Sequence, residues 1–388
     1  MNERPEVRWT EDGAQTSARW RSESGARPPE RIAVVDDRTT AAAAHKLACE
    51  GTALLWRGDY HGARQLLAAV TRRVDRPARA SRAGRRPRAA APDPSPREAF
   101  HRHRARRAQR ARILGMLLVP LDGGYRVPLR RAPDVRAACE EAYGPPDGEP
   151  SVLALRELTG LVGAHEWRRA GVAVPALGGD RIHPSYGVFS PVRGEYVDLV
   201  ADEPLPAGDS LAFDVGTGTG VLAAVLARRG VRRVVATDQD PRALACAREN
   251  TERLGVADRV EVVRADLFPD GRAPLVVCNP PWVPAKPSAP VEYAVYDPGS
   301  RMLRGYLDGL AAHLTPGGEG WLVLSDLAEH LGLRSRAELT GWIDAAGLTV
   351  AGRADVRPRH PRAADVSDPL HAARAAEVTS LWRLRARG

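Results

Sequence analysis

The chain has 388 residues and a net charge of +9, which allows two or three domains and biases it toward acidic partners. Its only lysines are Lys46 and Lys286, so the positive charge is nearly all arginine, the usage of a GC-rich genome. Four scattered cysteines without a Cys-x-x-Cys pair argue against a disulfide framework or a zinc site. The polar N-terminus and the lack of an eighteen-residue apolar run argue against a signal peptide or a membrane span, so the expectation is a metal-free cytoplasmic protein.

In chain order, residues 1–38 are polar and read as a disordered tail. Over 39–75, leucines and Val70 recur at helical spacing, interrupted at Arg57-Gly-Asp, which predicts a helical hairpin. Residues 76–97 read as an Arg/Pro/Ala-rich linker. Residues 98–185 read as a small α+β module. It opens on a basic helix over 97–112, followed by a hairpin over 113–129. Helices over 133–143 and 151–169 come next, then two short strands around Gly178-Gly-Asp180. Between Thr71 and Arg112, fifteen arginines face three carboxylates. Both a phosphate-contacting arm and a solvated linker fit that excess. Residues 186–388 form the last domain. From Leu211 onward, strands and helices alternate as a parallel sheet requires. Strands are predicted at 211–215, 234–238, 260–266, 275–279, 321–325, 348–356 and 379–384.

The chain is organised around Leu211-Ala-Phe-Asp-Val-Gly-Thr-Gly-Thr-Gly220, a strand followed by three alternate glycines and a helix. Backbone N–H groups and a helix N-terminus there admit a ligand closely. The dinucleotide fingerprint does not fit, because Val221 holds the place of its third glycine. No Gly-Lys occurs, so the phosphate loop is absent. Asp214 would repel a pyrophosphate but suits a ligand with an ammonium and a sulfonium. Asp238 ends the next strand, where α/β nucleotide folds place a carboxylate for ribose hydroxyls.

Asp214-x-Gly-x-Gly-x-Gly resembles the first motif of class I S-adenosylmethionine-dependent methyltransferases. Asn279-Pro280-Pro281-Trp282 resembles the Asn/Asp-Pro-Pro-aromatic motif of those that modify a planar nitrogen, as in the HemK/PrmC-like group. The resemblance covers about residues 186–384 and implies a Rossmann-like seven-stranded α/β sheet with helices on both faces and an antiparallel last strand. A mostly helical N-terminal region and the small α+β module are expected before it. The implied cofactor is S-adenosyl-L-methionine, held by Asp214, Gly216, Thr217, Gly218, Gly220, Asp238, Asp266, Leu267 and Asn279. Within that set Asp266 would hold the adenine amine while Leu267 packs the ring. Upstream, the segment Tyr186-Gly-Val-Phe-Ser-Pro191 and Arg193-Gly-Glu resembles a stretch that folds over the cofactor, which makes Phe189 and Glu195 expected lid residues.

The chemistry of a planar NH₂ explains the tetrapeptide. Its lone pair is delocalised, so the group must be held rather than deprotonated. The Asn279 oxygen and the Pro280 carbonyl can each accept one N–H, the two prolines stiffen the loop, and Trp282 offers a stacking face beside Pro281. Carbon-5 pyrimidine methylation is disfavoured because no Pro-Cys occurs. The expected function is N-methylation of a base amine of RNA, less favourably DNA. The alternative is a protein glutamine amide, and the other-class alternative is a non-catalytic nucleic-acid-binding assembly factor.

Overall fold

The computed structural model describes residues 5–76, 94–192, 194–206, 208, 210–287, 290–359 and 365–387. The chain forms two compact units, Met1–Pro94 with His101–Glu166 and Ser95–Phe100 with Trp167–Gly388. Among the described residues, no helix is long and apolar enough to cross a membrane.

The first unit corrects the N-terminal expectations. Its elements are β1 (Glu6–Glu11), β2 (Ala14–Trp20), β3 (Arg31–Val35), α1 (Ala41–Cys49), β4 (Thr52–Trp56), α2 (Tyr60–Asp75), α3 (Pro96–Leu114), β5 (Leu117–Leu121), α4 (Arg136–Tyr143), β6 (Ser151–Ala154) and α5 (Leu155–Ala170). The strands make one six-stranded sheet in the order β1-β2-β6-β5-β4-β3. The described part of the expected disordered tail, residues 5–38, therefore carries three strands. Val7 and Trp9 alternate inward, and Asp12 and Gly13 both take positive φ, which makes β1 and β2 a tight hairpin. The expected helical hairpin over 39–75 has its two helices, but β4 lies between them, paired with β3 and β5. The expected hairpin over 113–129 is also replaced. Its first half becomes the end of α3 and then β5, whose partners are the distant β4 and β6, while Tyr125 to Leu129 form no strand. The start of the expected helix over 151–169 is β6. Hence 98–185 is not a separate module, since most of it shares the first unit with the N-terminal strands. Most of the linker expected at 76–97 lies outside the described residues, and the basic helix is part of α3.

The second unit contains β7 (Val172–Ala173), β8 (Arg181–Ile182), α6 (Glu195–Asp202), β9 (Ala212–Val215), α7 (Val221–Arg228), β10 (Val234–Asp238), α8 (Pro241–Arg253), β11 (Val260–Arg264), β12 (Ala273–Cys278), α9 (Arg301–His313), β13 (Leu314–Ser325), α10 (Leu327–His330), α11 (Arg336–Ala345), β14 (Leu348–Val356), α12 (His371–Ala376) and β15 (Thr379–Ala386). Its seven-stranded sheet runs β11-β10-β9-β12-β13-β15-β14. Six strands run in one direction, and β15 lies antiparallel to both of its neighbours, β13 and β14. This is the expected class I methyltransferase order, with helices on both faces. Alternate residues of the central strands feed two cores. Ala212, Val234 and Val277 pack with α6 and α7, whereas Phe213, Val276 and Cys278 pack with α9 and α11. Local chemistry sets the helix starts. Asp240 caps α8 through the Arg242 N–H at 2.9 Å, with Pro241 in the first turn, and Ser335 and Glu338 form a reciprocal capping box on α11. Parallel strands place their carboxyl ends on one edge, where β9, β10 and β12 deliver the glycine turn, Asp238 and Asn279.

Candidate active site

A cavity of 460 Å³ opens at that edge, within the usual size of a small-molecule site. Its walls include Gly216, Thr217, Gly218, Asp238, Leu267, Asn279, Pro281 and Phe189, all singled out from the sequence. The ends of four adjacent strands, β11, β10, β9 and β12, thus converge on one space.

The glycine turn is built by complementary contacts. Gly216, Gly218 and Gly220 all have positive φ, but they serve different ends. A Cβ on Gly218 would meet no atom within 4 Å, so this glycine keeps the wall of the cavity clear. A Cβ on Gly220 would lie 3.2 Å from the backbone of Ala247 in α8. Gly220 is not a wall residue. Its role is close helix packing, a correction to its expected cofactor contact.

Asp214 is corrected in the same way. It is 1% exposed and is not part of the cavity wall. Its Oδ2 accepts the Thr217 hydroxyl at 2.6 Å and the Ala223 N–H at 3.0 Å, so the carboxylate braces the turn from behind. Burial pushes its pKa up to about 6. Asp238 faces the cavity. Its Oδ2 accepts the Gly218 N–H at 3.1 Å and its Oδ1 the Asp240 N–H at 3.0 Å, while burial raises its pKa. The carboxylate keeps acceptor capacity for a ligand hydroxyl.

Asp266 also departs from expectation. Its side chain is 67% exposed, pairs with Gln239 Nε2 and Arg301, and does not line the cavity. The chain turns sharply after β11: Leu267 takes φ +74° and enters the wall while Asp266 faces outward. Glu195 is buried at the start of α6 and accepts the Arg359 N–H, so it is anchored rather than placed over the cavity.

Asn279 follows β12 directly and reaches the wall beside Pro281. Pro280 is buried and Trp282 is half-buried, and neither lines the cavity. Trp282 packs against Phe100, Val283, Leu327 and Leu331, and its indole Nε1 donates to Asn279 Oδ1 at 2.8 Å. The expected stacking face is therefore turned into the protein. The wall also holds Tyr196, Gln239, Ala243, Tyr293 and Met302, which were not anticipated. Gln239 follows Asp238 directly, a signal the sequence carried. Met302 and Tyr293 are carried by the loop and helix after the tetrapeptide, where no periodicity points inward.

The wall residues fit S-adenosylmethionine. They include two carboxylates, Asp238 and Asp240, and no lysine or arginine, which disfavours a pyrophosphate and accommodates a cation. Leu222, Ala243, Ala265 and Leu267 supply apolar surface for a flat ring.

Comparison with known proteins finds methyltransferases. The family described as ribosomal protein L11 methyltransferase (PrmA) matches residues 200–280. A release factor glutamine methyltransferase of Cereibacter sphaeroides is 36% identical over 151 residues, covering 35% of this chain and 51% of that protein. A ribosomal protein L11 methyltransferase of Pelotomaculum thermopropionicum is 55% identical over 69 residues, or 17% of this chain and 22% of that protein. A solved methyltransferase of Pyrococcus furiosus is 19% identical, with 59% of this chain and 99% of that chain covered at a TM-score of 0.40. The chain spans about half the length of the first of these relatives and less of the second. From its sheet order and the match over residues 200–280, the chain carries a PrmA-like methyltransferase domain of class I fold.

Proposed function

We propose that the chain is an S-adenosylmethionine-dependent N-methyltransferase that modifies the side-chain amide of a protein glutamine. The observation that carries the reading is Asn279, which directly follows its strand and lies in the wall of the same cavity as Gly218 and Asp238. The bound cofactor would supply an electrophilic methyl group on a sulfonium. Gly218 leaves room for it, Asp238 accepts from its ribose, and Leu267 covers its ring. Asn279 accepts one N–H of the substrate amide, so the nitrogen lone pair is held toward the methyl. Positioning of this kind supplies ~7–11 kcal/mol of a barrier. A planar amide needs no stronger base, because its proton leaves after the nitrogen becomes cationic.

The relatives named release factor glutamine methyltransferase favour an amide over a base amine. The second reading, a base amine of RNA, keeps one specific support in the seven arginines of α3. Tritiated cofactor offered to a purified release factor and to ribosomal RNA separates the two. The proposal expects label in the protein, recovered as N-methylglutamine after digestion. Label confined to RNA refutes the amide substrate.

A further inference from the structure

We infer that Trp282 is a positioning residue whose indole N–H locks the Asn279 amide with its oxygen toward the substrate. A terminal amide has an oxygen end and an NH₂ end of nearly equal size. Only the oxygen end can accept the substrate N–H, so a half-turn about the last side-chain bond would present two donors to a donor. Trp282 Nε1 donates to Asn279 Oδ1 at 2.8 Å. A flipped amide would set its NH₂ against that same indole N–H, which is a donor only. The lock therefore selects one orientation. A carbonyl-type oxygen carries two lone pairs, so Oδ1 retains one for the substrate.

The lock is itself held. Trp282 packs against three apolar clusters, one built on Val221 and Val277, one on Phe213 and Tyr306, and one on Phe100 and Leu331. Pro280 and Pro281 stiffen the backbone between the two partners. Because Trp282 is absent from the cavity wall, its contribution reaches the substrate through Asn279. Phenylalanine keeps an aromatic ring but has no N–H, so within this site a tryptophan is chemically distinct from the other aromatic residues.

This inference rests on the methyl-transfer reading for its kinetics but not for its spectroscopy. In ¹H–¹⁵N spectra of the full chain, the Trp282 indole resonance is assigned by its loss in W282F. N279A should move that resonance upfield and speed its exchange with solvent. An unchanged resonance in N279A overturns the lock, whether or not methyl transfer is ever detected. Failure of the wild-type chain to methylate release factor, with the indole shift present, overturns the functional reading instead. The kinetic arm is a double-mutant cycle. W282F should lower kcat ~5–10-fold, the worth of one neutral hydrogen bond, with little change in the KM of either substrate. A carboxylate has two equivalent oxygens and needs no orienting partner, so W282F added to N279D should cost less than twofold further. Equal losses from W282F in both backgrounds, or wild-type kcat in W282F, contradict the inference.

Discussion

Gly218 and Gly220 both have left-handed backbone, yet the structure assigns them opposite consequences on substitution. Placing an alanine in that region costs ~1–2 kcal/mol, offset by ~0.4–1 kcal/mol from the less flexible unfolded chain. At Gly218, with φ +55° and no atom within 4 Å of the added methyl, nothing further is lost. Gly218→Ala should therefore destabilise by about 1 kcal/mol. The methyl stands in the open space of the cavity, so cofactor affinity should fall at least tenfold. At Gly220 the methyl meets the Cα, Cβ and carbonyl of Ala247 at 3.2–3.3 Å, and backbone of a packed helix cannot swing aside. Overpacking of this kind adds ~1–3 kcal/mol, for about 3 kcal/mol in all. Gly220→Ala should retain near-normal affinity below its melting point. Urea unfolding gives the first quantity and calorimetric titration with S-adenosylmethionine the second. If Gly220→Ala is as stable as wild type but fails to bind, or Gly218→Ala binds normally, the division of labour in the turn is refuted.

Other outcomes follow from the same structure. Asp214 is raised from 3.8 to about 6 by burial, so the native state holds its proton over a range where the unfolded chain has lost it. Its contribution to stability therefore declines as pH rises from 4 to 6, by about 3 kcal/mol. Asp214→Asn keeps the two acceptor contacts on one oxygen, so in urea unfolding its stability relative to wild type should improve between pH 4 and 7; a constant difference contradicts the buried carboxylate. Glu319 behaves oppositely. Hydrogen bonds from Arg383 and then Arg385 outweigh burial and hold it at about 2. Its stabilising contribution should be complete above pH 4.5 and lost as pH falls toward 2, and Glu319→Gln should flatten that limb of the acid unfolding curve. Arg102 and Arg106 are exposed on α3. Changing both to Gln should leave methylation of release factor unaltered. A loss of RNA binding with a salt slope reduced by ~2 would instead favour the base-amine reading.

The second unit was legible because its strands are apolar runs separated by capped helices, and because glycine, aspartate and proline mark its turns. The parallel order came from family likeness rather than periodicity. The first unit was not legible for physical reasons. Arg31-Ile-Ala-Val-Val35 is a short run inside a polar stretch, and its partner β4 lies seventeen residues beyond its end. Thr52 to Trp56 is a five-residue apolar run, which fits a helix turn as well as a strand. The Asp12-Gly13 turn was a readable signal, missed because arginine and glutamate dominate around it. At the site, chain position identified which strand ends meet, but not where side chains point. Asp266 and Leu267 are neighbours, and one left-handed residue decides that the leucine enters the cavity. Trp282 looked like a stacking face until the clusters around it were in place.

On the proposed reading, Asn279 orients a planar nitrogen for methyl transfer. Single-turnover transfer of a tritiated methyl group to release factor, with cofactor affinity measured in parallel, tests it most directly. Asn279→Ala should bind S-adenosylmethionine as wild type does and transfer ~10²–10³-fold more slowly, the usual cost of removing one preorganised polar contact to the reacting group. Asn279→Asp, which keeps an acceptor, should fall between the two. Wild-type turnover by Asn279→Ala, at full cofactor occupancy, would contradict the account.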